Sequence, residues 1–240
     1  MKPVVLVVGA GDALGGAVAR RFAREGYVAV VCRRHLDALQ PLVQEISAAG
    51  GEAHAFSCDA RREEQVTALF ERVEREIGPI DVTVFNIGGN VRFKIVDTTA
   101  QKYFKVWEMC AFAGFLTGRE AARAMTPRGN GTILFTGATA SVRGGVGFAA
   151  FAGGKHALRA LAQSMARELG PQGIHVAHVV IDGAIDTAFT RENFRALIES
   201  RPESGILSPD DIAENYWLLH RQPRSAWTFE LDLRPWVEPW

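Results

Sequence analysis

Between residues 3 and 15 the chain passes from an unbroken apolar run, PVVLVV, into Gly9-Ala10-Gly11-Asp12-Ala13-Leu14-Gly15, and then into a helical pattern that Gly26 closes. A short run of mostly β-branched residues without polar alternation is the mark of a strand buried on both faces, the kind found in parallel sheets covered by helices. Glycines between such a strand and a helix permit a tight turn and let backbone N–H groups approach a phosphate at the helix N-terminus. A glycine-rich turn alone is also compatible with a plain strand-to-helix connection. The strand before it and the helix after it favour the phosphate site.

The same unit recurs. Residues 28–32 form a second strand, followed by a helix over 36–49 that ends at Gly50-Gly51. Residues 53–57 form a third strand, and a helix over 63–77 stops at Gly78-Pro79. A fourth strand covers 80–85, a long helical region 99–125 stops before Pro127, and a fifth strand covers 131–135. A long helix over 147–170 carries Leu158, Leu161, Ala162, Met165 and Leu169 as its apolar stripe, and a sixth strand covers 174–180. Residues 227–233 then alternate, with Phe229, Leu231 and Leu233 set against Glu230, Asp232 and Arg234, which describes a half-exposed strand at or near a sheet edge. Strands alternating with helices across short loops predict an α/β fold: a Rossmann-type, doubly wound parallel sheet of about seven strands with helices on both faces. Its crossovers are right-handed. No linker or change of composition divides the chain, so residues 1–240 are expected to form a single domain.

A formal net charge of zero argues against nucleic acid or an anionic membrane as partner. Of the paired arginines, Arg20-Arg21 and Arg61-Arg62 read as solvated helix faces. Cys32, Cys58 and Cys110 are scattered, with no CxxC and no histidine at ligand spacing, which fits a reducing cytosol without disulfides. The six histidines form no metal-ligand pattern, so no metal is expected. No apolar run has the length of a membrane span, and the first strand begins too early for a signal peptide. A cytoplasmic protein is expected.

After Ile181 the periodicity loosens. Residues 182–207 mix aromatic, charged and glycine residues, and a stretch of that kind beyond the carboxyl end of a strand suits a lid over a ligand crevice. Within it Phe189, Arg191, Phe194 and Arg195 suit an anionic or aromatic ligand, and suit a surface loop equally. Ser208-Pro209-Asp210-Asp211 opens a helix with a capping serine and early acids. Trp236 and Trp240 in the tail pack back on the domain or against another subunit. Small residues near Ala113, Gly114 and Gly118 would let helices of two copies approach closely, so a homo-oligomer (dimer or tetramer) is expected.

Two places carry chemistry. At the end of the second strand, where an acid would bind a ribose 2′-hydroxyl, stands Cys32-Arg33-Arg34, and an arginine there suits a 2′-phosphate instead. NADP(H) is therefore the preferred cofactor, with NAD(H) possible. In the long helix, Phe151 and Lys155 stand four residues apart on one face. A lysine among small residues there is unlike the rest of the apolar stripe.

On these residues the chain resembles the short-chain dehydrogenase/reductase superfamily over essentially its full length. The family's TGxxxGxG turn stands here as residues 8–15, with Ala13 at the middle glycine. The family acid that contacts adenine corresponds to Asp59, and the NNAG turn to Phe85-Asn86-Ile87-Gly88. Asp182-Gly183, where the family usually has Pro-Gly, and Ile185-Asp186-Thr187 resemble the loop that meets the nicotinamide. The resemblance thus implies cofactor contacts from Gly9, Gly11, Asp12, Ala13, Leu14 and Gly15 in the turn. Further along, it implies contacts from Arg33, Asp59, Asn86, Gly88, Lys155, Gly183, Ile185 and Thr187.

The family's catalytic pattern is a tyrosine acting as general acid/base, a lysine that lowers its pKa and holds the nicotinamide ribose, a serine, and an asparagine that anchors a relay water. Lys155 matches the lysine, but Phe151 stands at the tyrosine, Ala138 at the serine and Cys110 at the asparagine. Neither a phenyl ring nor a methyl group holds a transferable proton, and loss of general acid/base catalysis costs on the order of a hundred- to ten-thousand-fold in rate. Thr139 is the best substitute donor, ahead of Thr136 and Ser141. His156 should point elsewhere, Tyr103 reads as a packing or lid residue, Cys110 as a buried small hydrophobe, and Lys155 has the alternative of snorkelling outward. The resemblance implies an NADP(H)-dependent oxidoreductase acting on an unidentified small molecule with a non-standard proton donor. The alternatives are a dinucleotide-binding sensor without turnover and a structural subunit.

Overall fold

The apolar run after Pro3 forms β1 (Val4–Val8), and every residue of it is buried. The structure is a computed structural model describing residues 2–239, so Trp240 lies outside the described residues. Six further strands follow: β2 (Val28–Arg33), β3 (Glu52–Ser57), β4 (Ile80–Phe85), β5 (Gly131–Thr136), β6 (Ile174–Ile181) and β7 (Glu230–Leu233). They form one sheet in the order β3-β2-β1-β4-β5-β6-β7, and all six pairings are parallel. This is the doubly wound Rossmann-type architecture expected, with β7 at one edge.

One face is covered by α1 (Leu14–Arg24), α2 (Gln40–Ala48) and α9 (Pro209–His220), whose Phe22, Ile46 and Tyr216 share a core with Val5, Val7 and Val84. The other is covered by α3 (Glu63–Glu76), α5 (Ala113–Met125) and α6 (Ala149–Leu169), with Phe70, Leu116 and Leu158 packed on Leu6, Val30 and Ile133. Ser208 caps α9 by accepting from the Asp211 N–H, as its spacing predicts. No helix among the described residues is long and apolar enough to cross a membrane.

Two local expectations need correction and a third gains detail. The helix expected from Leu36 begins as a 3-10 turn over Leu36–Leu39, and the α-helix starts at Gln40 because Pro41, lacking an N–H, fits only the first turn. The long helical region 99–125 is helical without a break, but a π-helical turn, Glu108–Phe112, stands between α4 (Ala100–Trp107) and α5. The small residues expected to face another subunit face inward. A side chain at Gly114 would strike Leu158 at 2.4 Å, and one at Gly118 would strike Met165 and Phe135 at 2.9 Å. They let α5 sit close to α6 and to the sheet.

Candidate functional site

The glycine-rich turn leaves β1 where the strand order reverses, the point at which doubly wound sheets open a crevice. Gly9 holds φ +90°, and a side chain there would meet Asn86 O at 2.9 Å. At Gly15 a Cβ would lie 2.8 Å from Gly9 O and 3.0 Å from Asn86 Nδ2. Asn86 Nδ2 in turn donates to Gly9 O at 3.1 Å, which ties the end of β4 to the turn. The helix α1 opens at Ala13 with no side-chain cap and no acid in its first turn. Its leading N–H groups therefore remain available to an anion. They face a cavity of about 1160 Å³, and every residue named above as a cofactor contact lines it. Orphan amides, two turn positions without room for a side chain and a cavity of this volume fit a dinucleotide.

At one end of the cavity lie Arg33, Arg34 and Arg61. The Arg33 guanidinium is 3.5 Å from where a Cβ on Gly11 would stand, so it lies against the turn. The Asp59 carboxylate accepts from Arg61 Nη2 at 2.6 Å and Nε at 2.9 Å, and this pairing holds its pKa below the usual carboxylate range. Arg61 was not among the residues expected here. Its place two positions after Asp59, in the turn closed by Arg62 N–H to Asp59 O, brings it back over the carboxylate.

Lys155 lies at the other end. It is 2% exposed, and Nζ donates to Thr136 O at 2.7 Å and to Ile87 O at 3.1 Å. The alternative of an outward, snorkelling amine is therefore ruled out. Burial lowers its pKa. Phe151, one turn earlier, also lines the cavity.

The candidate substitutes are engaged elsewhere. Ser141 is fully buried, and its Oγ accepts the Ala138 N–H at 3.1 Å. Thr136 Oγ1 pairs with the Tyr216 hydroxyl at 2.8 Å beneath the sheet end. Thr139 lines the cavity, but its hydroxyl donates to Asp182 Oδ1 at 2.6 Å. That carboxylate is 4% exposed and also lies 3.5 Å from Arg143 Nη2 and 3.4 Å from Arg234 Nη2. With its one proton committed, Thr139 offers the cavity an acceptor. Cys110 sits in the π-helical turn, fully buried, and burial pushes its thiol pKa up. His156 Nδ1 bonds Ala152 O within its own helix, and the Tyr103 hydroxyl lies against Gly153. Neither lines the cavity.

The segment 182–207 contains two short helices, α7 (Ala188–Asn193) and α8 (Arg195–Glu199), closed at its base by Asp186 N–H to Leu207 O and Leu207 N–H to Ala184 O. Phe189 and Phe194 line the cavity and meet edge to face at 6.0 Å. Arg191 and Arg195 do not line it; Asp186 and Glu199 hold them at the surface. Arg143, Asn90, Met109 and Phe148 complete this end, none of them anticipated from sequence. The Gly144-Gly145 pair beside Arg143 was the one local sign of a loop turning into a site. Trp236 stays 73% exposed, with its Nε1–H donated to Glu203 O.

Known proteins place this architecture. The short chain dehydrogenase family profile matches residues 3–197. The 7alpha-hydroxysteroid dehydrogenase of Escherichia coli K12 is 28% identical over 226 residues, covering 92% of this chain and 88% of that protein. A short-chain dehydrogenase from Rhodopseudomonas palustris superposes with a TM-score of 0.84 at 48% identity, covering 98% of this chain and 99% of the other. Actinorhodin polyketide ketoreductase, solved with NADPH, superposes with a TM-score of 0.88 at 26% identity, covering 100% and 98%. From the turn at Gly9, through the parallel sheet, to the buried lysine of α6, the chain belongs to the short-chain dehydrogenase family.

Proposed function

We propose that this protein is an NADP(H)-binding oxidoreductase whose proton transfer does not use a phenol. The uncapped start of α1 and the turn at Gly9–Gly15 take the pyrophosphate, and Arg33 with Arg34 takes the 2′-phosphate. Asn86, Gly88, Gly183, Ile185 and Thr187 surround the nicotinamide ribose, with Lys155 beneath it. The preference for a 2′-phosphorylated cofactor agrees with the NADPH in the solved ketoreductase. Bound NADPH supplies a hydride.

The observation that carries the proposal is the position of Lys155. Two of its three ammonium hydrogens are spent on backbone carbonyls, which leaves one at the floor of the cavity. Desolvation favours the neutral amine, so the ammonium gives up a proton more readily than an exposed lysine does. With Thr139 committed to Asp182, Lys155 is the buried cation from which we derive the proton, given directly or through one water. A test is NADPH titration followed by turnover of aryl aldehydes, aryl ketones and activated alkenes. We expect tight NADPH binding, slow turnover, and loss of that turnover in Lys155→Met. Turnover unchanged in Lys155→Met would refute the role of the amine.

A second reading, dinucleotide binding without turnover, is favoured by the phenyl ring of Phe151 standing where a proton donor would be needed. NADPH binding with background turnover on every compound would establish it; failure to bind NADPH or NADH would leave a structural subunit. We also propose self-association, now assigned to the face where Phe104, Trp107, Phe112 and Phe115 stack at 6.0–6.3 Å, with Phe104 and Phe115 exposed. Light scattering that gives a monomer mass would remove it.

A further inference from the structure

Beyond the cofactor half, the cavity is walled by Met109, Phe148, Phe151, Phe189, Phe194 and Leu197. Phe189 and Phe194 are 65% and 51% exposed, so the lid presents aromatic surface that an apolar guest would cover. The acidic residues lining the cavity are Asp12, in the glycine-rich turn, and Asp59, which Arg61 neutralises, so both belong to the nucleotide half. Among the described residues no carboxylate lines the aromatic half.

One guanidinium does. Arg143 lies on the loop between β5 and α6, and its side chain is 51% exposed. Its contact with Asp182 Oδ1 is long, at 3.5 Å, because that carboxylate already takes the Thr139 proton at 2.6 Å and lies 3.4 Å from Arg234. Asp182 thus steadies Arg143 by charge, at a distance longer than its bond to Thr139. The lid arginines Arg191 and Arg195, by contrast, are each held by a carboxylate at the surface.

Building on the proposed dinucleotide site, we infer that the aromatic half of the cavity binds an apolar, ring-bearing carboxylate, with Arg143 taking the carboxylate group. A planar guanidinium pairs with a carboxylate through two parallel hydrogen bonds, and partial exclusion of water by aromatic walls strengthens that pairing. Arg143 is then a specificity-determining residue.

The test compares 2-naphthoate with its neutral isostere 2-naphthamide, by calorimetric titration of the full-length protein with and without saturating NADPH. The naphthoate is expected to bind at least about tenfold tighter, an interval typical of a charge-assisted pair. Arg143→Gln is expected to erase that interval while NADPH affinity and the thermal midpoint stay unchanged, and Arg143→Lys to restore part of it. Equal binding of the two probes, or an interval that survives in Arg143→Gln, would overturn the inference. The measurement without cofactor keeps the two claims apart. A naphthoate preference in protein that never binds NADPH would sink the dinucleotide site and leave the acid site standing.

Discussion

Replacing Phe151 by tyrosine and Ala138 by serine puts a hydroxyl on two residues that line the cavity beside Lys155. Phe151 is 7% exposed and packs with Val106, Cys110, Ala140, Ala150 and Ala152 in a small cluster at the edge of the cavity. A hydroxyl added to that ring goes to the cavity side or costs about 1–3 kcal/mol as a buried, unpaired group. Lys155 stands one turn along the same face with a hydrogen to spare, so the new phenol has a partner and its pKa falls. General acid catalysis is worth roughly a hundred- to ten-thousand-fold, and one donor to a developing oxyanion about 3 kcal/mol; the two act on the same atom and do not add. We expect kcat/KM to rise at least about a hundredfold, which corresponds to roughly 2.7 kcal/mol of barrier. The assay is loss of NADPH absorbance with aryl aldehydes and ketones, including 4-formylbenzoate. Reduction should fall on the alkaline side as the phenol ionises, and Phe151→Leu should show no gain. A double variant that folds, binds NADPH as wild type does and still turns over within about threefold of wild type on every compound would refute the reasoning.

Other expectations follow from the same geometry. Arg33→Ala should weaken NADPH at least about tenfold while leaving NADH nearly unchanged, because only the former presents a 2′-phosphate to the guanidinium; equal losses in a binding titration would contradict this. A Cβ at Gly137 would lie 2.4 Å from His178 Nε2 and 2.9 Å from Val179 O, so Gly137→Ala should cost about 1–3 kcal/mol in urea unfolding. A variant as stable as wild type would show that the His178 ring moves aside freely.

Stability should also fall with acid. Burial lowers the His178 and His220 pKa values to about 4, below the ordinary value near 6.5. The unfolded chain therefore binds more protons than the native state between those limits, so their contribution is intact above about pH 6.5 and is lost as pH falls toward 4. From about pH 7 to about pH 5 each histidine should take away about 2 kcal/mol. The groups facing His178 modulate this. Glu230 at 3.0 Å favours its charged form, and Lys155 and Arg159 oppose it. A flat unfolding free energy across that interval would show that neither ring titrates as buried.

Sequence alone settled the sheet and the turn. Strand runs such as PVVLVV are apolar on both faces and β-branched, and Gly9 and Gly15 occupy places where a Cβ has no room, so local chemistry leaves one outcome. Lys155 likewise stands one turn beyond Phe151 on the face of α6 that lines the cavity, as their spacing predicts. What sequence left open was where polar atoms spend their hydrogens. That Thr139 is committed to Asp182, forty-three residues away, depends on β5 and β6 ending side by side. That Gly114 and Gly118 face α6 depends on a helix rotation that a small-residue stripe does not reveal, since small residues suit either contact. That Arg143 lines the aromatic half was decided by where the loop after β5 lies, whereas Arg191 and Arg195 are held by carboxylates only five and four residues away. Periodicity reports which face is apolar; partners across the chain exist only once the strands are in register.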